Sequence, residues 1–379
     1  MRYMASILVL LLGLLAGCER QVGDPITTLQ GFLEHTPRPM RVEEFEPLFH
    51  FDSRNQDTTL VCWSFSTTSF LETEMERTGL TPVRLARMYP VYSVFLEKAK
   101  RFVASRGASR FAPGDLFSGV LETIKTYGII PEEAYRGQAR VCDTYNHETL
   151  YNALDSLMRS VKAKRQWNEK KVLAKVIPIL NAHLGKPPTE FEYKGSTYTP
   201  KSFLEQVVRL PWDDYLLVTS FSYAPFEQFT QLKVPDNWAH RDNFFNVPLA
   251  AFTGGIREAL VNGYSVAIDA DISEPSYTET KSYAIIPPYD IPVGSITQEA
   301  RDFRFENGST TDDHLMHVVG YRQFNGQDWY LVKDSWRTAF EVLPNGYFFF
   351  HESYIQLKVL AYLVHKDGVP SIARRMPKK

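Results

Sequence analysis

The sequence predicts an α+β protein of two lobes, helical in its first part and strand-rich in its second. Three observations lead there. Up to about residue 210 the apolar residues recur at helical spacing, beginning at a Cys-Trp pair at positions 62–63. After Pro211 the composition shifts to β-forming residues in short runs separated by turn signals. The chain has 379 residues, 44% hydrophobic and 13% aromatic, enough core for two ordinary domains or one large two-lobed one. A charged share of 23% and a net charge of −2 leave neither a basic stripe for nucleic acid nor an acidic tail.

Taken in order, the chain opens on an export signal. Arg2 precedes an apolar run from Met4 to Ala16 that is too short to span a bilayer comfortably. It ends Leu14-Leu15-Ala16-Gly17-Cys18, which resembles a bacterial lipobox. That resemblance implies cleavage after residue 17 and acylation of Cys18, an anchor to the membrane. A plain signal peptide cleaved near Ala16 is the simpler alternative. Glu19, in place of Asp, leans by resemblance to Gram-negative sorting toward the outer membrane, facing the periplasm. Residues 18–45 then form a tether and lead-in strand, and 46–379 a tethered soluble domain.

The central helix runs from Cys62 to Gly79, with Thr58 and Thr59 as its expected capping hydroxyls. Helical patterns follow at 89–103 and 116–127, the latter closed by Gly128. From Tyr145 to His183 the pattern is helical and heavily charged, a solvated helical pair within an insert spanning about 140–210. Pro200 to Val208 restarts a short helix. Strands are expected at 216–220, 265–268, 283–286, 315–321, 329–333, 347–350 and 359–364, with one helix at 249–261 stopped by Asn262-Gly263.

Of three cysteines, Cys18 is assigned to lipid. Cys62 and Cys142 remain available for a bridge, but nothing in the spacing forms a disulfide framework. Cys142 reads as inert packing. A lone Cys62 on an apolar helix also reads first as core. Its place at a helix start changes that reading, because unsatisfied N–H groups and the positive dipole end favour thiolate. Gln56, six residues upstream, carries an amide that can reach an oxyanion forming beside the sulfur.

The other half of a catalytic set lies on a hairpin. A strand opens at Asp313-His314, turns at Phe324-Asn325-Gly326, and returns through Trp329 to Lys333. Antiparallel pairing about that turn sets His314 opposite roughly Asp334 to Arg337. An imidazole and a carboxylate are thereby brought together as base and orienter for Cys62, and Trp336 would shield the bond between them. His314 and His317 fall on opposite faces of the strand, which disfavours a two-histidine metal site. Neither HExxH, paired CxxC, P-loop nor G-x-S-x-G is present. Asp312-Asp313 reads as a charged turn before a strand, and Asp269, Asp271 and Glu274 as a solvated loop.

Gln56, Cys62-Trp63-Ser-Phe, Asp313-His314, Asp334-Ser335-Trp336 and Asn345-Gly346-Tyr347 together resemble the papain superfamily of cysteine peptidases. Tyr127-Gly-Ile-Ile-Pro131, Leu184-Gly-Lys-Pro-Pro188, Thr199-Pro-Lys-Ser-Phe203 and Asn246-Val-Pro248 resemble its bleomycin hydrolase/aminopeptidase C branch, in order. His314 follows Cys62 by about 250 residues, against roughly 130 to 150 in papain-like enzymes, and the insert accounts for the difference. The resemblance implies a helical left lobe, an antiparallel β-barrel-like right lobe, and a cleft between them. Within it Cys62 is nucleophile, His314 acid and base, Asp334 the orienter, and Gln56 with the Cys62 N–H the oxyanion hole. Gly114, Trp336 and Asp313 are the expected substrate-binding residues.

Four positions depart from the family pattern. Asp334 replaces an Asn, Asp57 and Leu60 stand where glycines are usual and are expected to crowd the entry to the cleft, and Arg337 replaces the glycine after Ser-Trp. The tail after Val369 is short, whereas in that branch the tail reaches the cleft and restricts cleavage to N-termini. The expectation is a lipid-anchored thiol peptidase, an aminopeptidase being one form of it, acting on peptides without metal or organic cofactor and without nucleic acid. A degenerate papain-like lipoprotein that only binds peptides is the alternative, and an amide-transfer enzyme a remoter one.

Overall fold

The computed structural model describes residues 28–138, 144–278, 280 and 282–377. The signal segment, Cys18 and Cys142 lie outside them. Residues 28–36 form a unit of their own built on helix α1 (Leu29–His35), which Thr28 caps through its hydroxyl. Everything from Pro37 onward is one compact unit.

Its helices are α2 (Cys62–Arg77), α3 (Met88–Ala104), α4 (Phe117–Tyr127), α5 (Glu148–Ala163), α6 (Glu169–Leu184), α7 (Pro200–Phe203), α8 (Leu249–Val261), α9 (Pro275–Thr278), α10 (Gln298–Glu306), α11 (Glu352–Lys358) and α12 (Pro370–Ala373). Strands β1 (Phe191–Tyr193) and β2 (Ser196–Tyr198) make a small hairpin inside the insert. The others are β3 (Tyr215–Thr219), β4 (Gln228–Thr230), β5 (Phe244–Asn246), β6 (Val266–Ala270), β7 (Tyr283–Ala284), β8 (His314–Phe324), β9 (Gln327–Lys333), β10 (Tyr347–His351) and β11 (Val359–His365). They form one sheet in the order β4-β5-β3-β11-β6-β8-β9-β10-β7. Its pairs are antiparallel except β3–β5 and β10–β7, which are parallel, so the expected antiparallel lobe is a mixed sheet.

The two faces of this sheet carry the two cores. Leu217, Phe244, Ala267, Leu315 and Leu363 join the apolar residues of α2 to α6. Val218, Ile268, Met316, Val332 and Tyr362 pack with α8 and α11. Strand alternation explains this division, since neighbours along one strand face opposite ways.

Helix α2 is buried along almost its whole length although it is rich in Ser and Thr. Those hydroxyls close on backbone and on strand β8: Thr67 and Thr68 donate to carbonyls four residues back, and Ser66 Oγ donates to Met316 O at 2.7 Å. Ser69 Oγ meets His317 Nδ1 at 2.9 Å and receives Lys333 Nζ at 2.8 Å. Buried polar groups need such partners, and here they lock the helix bearing Cys62 to the strand bearing His314.

Several expectations need correction. Thr58 and Thr59 do not cap α2: its N-cap is Val61, and the two hydroxyls donate to Tyr145 O and Gln56 O. The stretch read as tether continues the fold from Pro37, with a 3-10 turn at Val42–Phe45 that buries Phe45 against Phe349. The charged pair α5 and α6 is amphipathic, with Leu150, Leu154, Met158, Val172, Val176 and Leu180 buried. Asp269 and Asp271 are buried, and Asp271 pairs with Lys358 at 3.0 Å, beside Glu274 on the same lysine. The strands β4 and β5 and helices α10 and α11 had no signal strong enough to single out, being short or embedded in mixed composition.

Candidate active site

The loop that delivers Cys62 is held from several sides. Gln56 N donates to Ser335 O at 2.8 Å, and Ser335 Oγ donates to Gln56 Oε1 at 2.9 Å. Tyr151 of α5 donates its hydroxyl to Thr59 O. Asp57 sits at φ 53°, a left-handed conformation, and its Oδ2 accepts the Tyr145 N–H at 2.8 Å. Tyr145 and Tyr151 therefore clamp the loop ahead of Cys62, and at Asp57 the non-glycine side chain is tied in. Leu60 is also left-handed, at φ 54°, with its side chain 48% exposed. Such a φ strains any residue with a Cβ. Leu60→Gly should raise stability by about 0.5 to 1 kcal/mol in thermal unfolding, because relieved strain exceeds the added chain entropy; a lower melting temperature would contradict this.

Cys62, a free thiol at the first position of α2, is 8% exposed. His314 hydrogen-bonds it on one side. On the other, His314 Nε2 meets Asp334 Oδ1 at 2.6 Å, and both residues are almost fully buried. Burial works against an imidazolium here, but the Asp334 and Cys62 charges and the hydrogen bonds to both outweigh it. The His314 pKa is pushed up to about 10. Burial likewise opposes ionising Asp334, yet the His314 charge and ring N–H, the Trp336 N–H at 2.9 Å and the Tyr277 hydroxyl at 2.7 Å hold its pKa below the usual value.

Tyr277 is a site residue that sequence reasoning missed. It lies flat on Phe348, ring centroids 4.3 Å apart, and donates to Asp334 Oδ2. Burial, then the Asp334 charge, pushes its own pKa well above the ordinary value, so it remains a donor. A carboxylate in place of an amide has a second oxygen to satisfy, and this phenol satisfies it. The position 57 residues before Asp334 carried no motif to announce it.

Gln56 is fully buried, and its Nε2 meets no acceptor in the chain. An unpaired buried donor is costly unless something else supplies an acceptor. Trp336 stands edge-on to the His314 ring, centroids 5.7 Å apart. Arg337 is exposed and begins a 3-10 turn beyond it.

The other sequence-chosen residues sit less simply. Asp313 is exposed, and its carboxylate is engaged by Thr311 Oγ1 at 2.8 Å and the Ile272 N–H at 3.2 Å. Gly114 is joined to α2 through its neighbour, since Trp63 Nε1 donates to Pro113 O at 3.2 Å. Lys98, buried, donates to both Ala112 O and Gly114 O. A Cβ at Gly114 would fall 1.7 Å from Asp236 Oδ2. The expected backbone platform is thus lined by a carboxylate, with its carbonyl already receiving a lysine. The tail residues Pro370–Ala373 pack elsewhere, with Ile372 buried and Ser371 donating to Glu258 of α8.

The chain matches the Peptidase C1-like family over residues 48–378. Among solved structures it is similar to PepW from Lactobacillus rhamnosis HN001 (DR20), with a TM-score of 0.66 and 18% identity over 89% of this chain and 84% of that one. At that identity the likeness carries the fold alone, an α+β one with helices against a large mixed sheet. No curated protein matches the chain. The Cys-Trp helix start, the Asp-His strand start and the helix-then-strand order thus find their common explanation: this chain belongs to the Peptidase C1-like family and is a papain-like cysteine peptidase.

Proposed function

We propose that this protein hydrolyses peptide bonds through Cys62, His314 and Asp334, with Gln56 stabilising the oxyanion, and that it does so tethered to the bacterial envelope by a lipid on Cys18. One observation carries the reading of the site: a thiol at a helix N-terminus hydrogen-bonds an imidazole whose far nitrogen is 2.6 Å from a buried carboxylate. In that setting the proton rests on His314 and the sulfur is available for attack. Attack on a peptide carbonyl forms a tetrahedral oxyanion, for which Gln56 Nε2 supplies a donor with no competing partner. His314 then gives its proton to the leaving amine. In the second half it takes a proton from water, which attacks the thioester and frees the acid. Asp334, fixed by Tyr277 and the Trp336 N–H, keeps the imidazole oriented throughout. Removal of residues from a free N-terminus is one form this activity can take.

The test is mass spectrometry after treatment with an epoxysuccinyl thiol-protease inhibitor, with Cys62→Ala protein alongside. A single adduct on Cys62, absent from the variant and with Cys142 untouched, is expected. No adduct on folded protein would favour the second reading, a papain-like lipoprotein that binds peptides without cleaving them. Two observations speak for that reading: Leu60 stands exposed at a position where the family usually has glycine, and Lys98 already engages the Gly114 carbonyl.

A further inference from the structure

We propose that the wall running from Gly114 toward Cys62 is a subsite for an organic cation carried by the peptide, an ammonium or guanidinium group held by Asp236 and Asp312. This rests on reading the Cys62 cleft as the place where peptides bind. Asp236 lies directly against the Gly114 Cα. Asp312 precedes Asp313-His314 at the start of β8 and accepts the backbone N–H of Asp236, so the two carboxylates are neighbours.

A third carboxyl points into the same place. Asp269 on β6 is 0% exposed, and apart from the Asp312 carboxyl neither of its oxygens has a hydrogen-bond partner among the described residues. The group it faces is Asp312, whose Oδ2 is likewise without a donor. Asp269 also lies close enough to Cys62 to sense its charge. Two acids so placed can share one proton, which leaves one negative charge for a ligand. Burial, then the Asp312 carboxyl, pushes Asp269 well above the carboxylate range, and burial, then the Asp236 charge, pushes Asp312 up to about 7. A visiting cation would relieve both.

The charges of Lys98 and Arg110 reach Asp236, but neither side chain forms a close ion pair with it. Lys98 is directed at the Ala112 and Gly114 carbonyls. Arg241 pairs with Asp115 at 3.6 Å and Glu122 at 2.7 Å. Arg110 only approaches Asp236, at 4.0 Å, from a half-exposed position. Among the described residues no salt bridge reaches Asp269 or Asp312, and no group of acidic, His or Cys side chains is set out to ligate a metal ion. What fits is a cation on a flexible or terminal position of a peptide. The α-ammonium of its first residue and a Lys or Arg side chain share that chemistry.

The deciding experiment is calorimetric titration of the full-length Cys62→Ala protein, where no cleavage occurs and binding is read independently of turnover. The probes are a tetra-alanine amide with a free N-terminus, its N-acetylated form, and N-acetylated forms with Lys at each position in turn. At least one cationic peptide should bind about tenfold more tightly than the acetylated all-alanine form, as a charge-assisted hydrogen bond provides. Asp312→Asn, and separately Asp236→Asn, should each reduce that preference to near unity and leave the uncharged peptide's affinity alone. Preference for the free amine identifies the N-terminus as the source, and preference for an acetylated Lys peptide a side chain. Equal binding of all probes, binding of none, or a preference that survives both substitutions would overturn the proposal. Loss of the peptidase reading would appear separately, as absent turnover and absent adduct in the Cys62 protein.

Discussion

His314→Ala should lower kcat/KM for peptide hydrolysis by about 10⁴, the upper range for removing a positioned acid–base group. The structure gives two reasons to expect the upper end. The imidazole is the group hydrogen-bonded to Cys62, so its loss removes both the acid for the leaving amine and the positive charge that favours thiolate. Its place is also sealed: His314 is almost fully buried, with Trp336 edge-on to it, which hinders water from taking over the proton transfers. Inactivation by the epoxysuccinyl probe should slow in parallel. Asp334 remains supplied with donors by Tyr277 and the Trp336 N–H, so circular dichroism should show a folded protein. Turnover within tenfold of the unsubstituted enzyme would remove His314 from the mechanism.

The second large effect concerns Asp334. Asp334→Ala leaves the His314 imidazolium buried without its counter-charge, and breaking a buried pair from one side costs about 3 to 5 kcal/mol. The pH dependence of stability should change in two windows. His314 has a folded pKa of about 10, raised above its ordinary 6.5. Its contribution is therefore complete below about pH 6.5 and is lost as pH rises toward 10. Asp334 has its pKa lowered from 3.8, so its contribution is present above that value and is lost as pH falls through the folded pKa. Denaturant titrations across pH should show both slopes in the unsubstituted protein and a flatter profile in Asp334→Ala. Activity should fall at least about a hundredfold, since an imidazole no longer held in place loses its alignment. Asp334→Asn should be milder on both counts, because an amide oxygen can still accept from His314 Nε2 while the charge is lost. Tyr277→Phe should act only where the carboxylate is present: it weakens the Asp334 protein and changes little in Asp334→Asn. Equal effects of Tyr277→Phe in both backgrounds would reduce Tyr277 to a packing residue.

The departures from the family pattern look different once the backbone is known. At Asp57 and Leu60 the chain keeps the left-handed conformation that glycine adopts freely. Asp57 uses its side chain to tie the insert to the loop, whereas Leu60 gains no polar partner and extends into solvent. The replacement of Asn by Asp334 has its counterpart in Tyr277, which donates to the additional oxygen.

What the sequence determined by itself is local and periodic. The helix start at Cys62, the Asn325-Gly326 turn with both residues at positive φ, and the pairing of β8 with β9 were all legible, because each rests on residues adjacent in the chain. A hairpin has one register once its turn is set, and that register carried His314 to Asp334 despite a bulge between Val318 and Gly320. The helix-then-strand order gave the fold class for the same reason. Only the tertiary structure could decide the rest. Tyr277 comes from α9, Tyr151 from α5, Lys98 from α3, and Asp236 from the loop between β4 and β5. No periodicity links these positions to Cys62. Asp269 and Asp312 look like loop acids in the sequence, since a charged residue near a strand end is ordinarily solvated. Only strand β6 lying beside β8, with α2 packed over the same face, buries one against the other. Short-range chemistry sets elements and turns; which distant side chains share a buried space is fixed by how the sheet and helices pack.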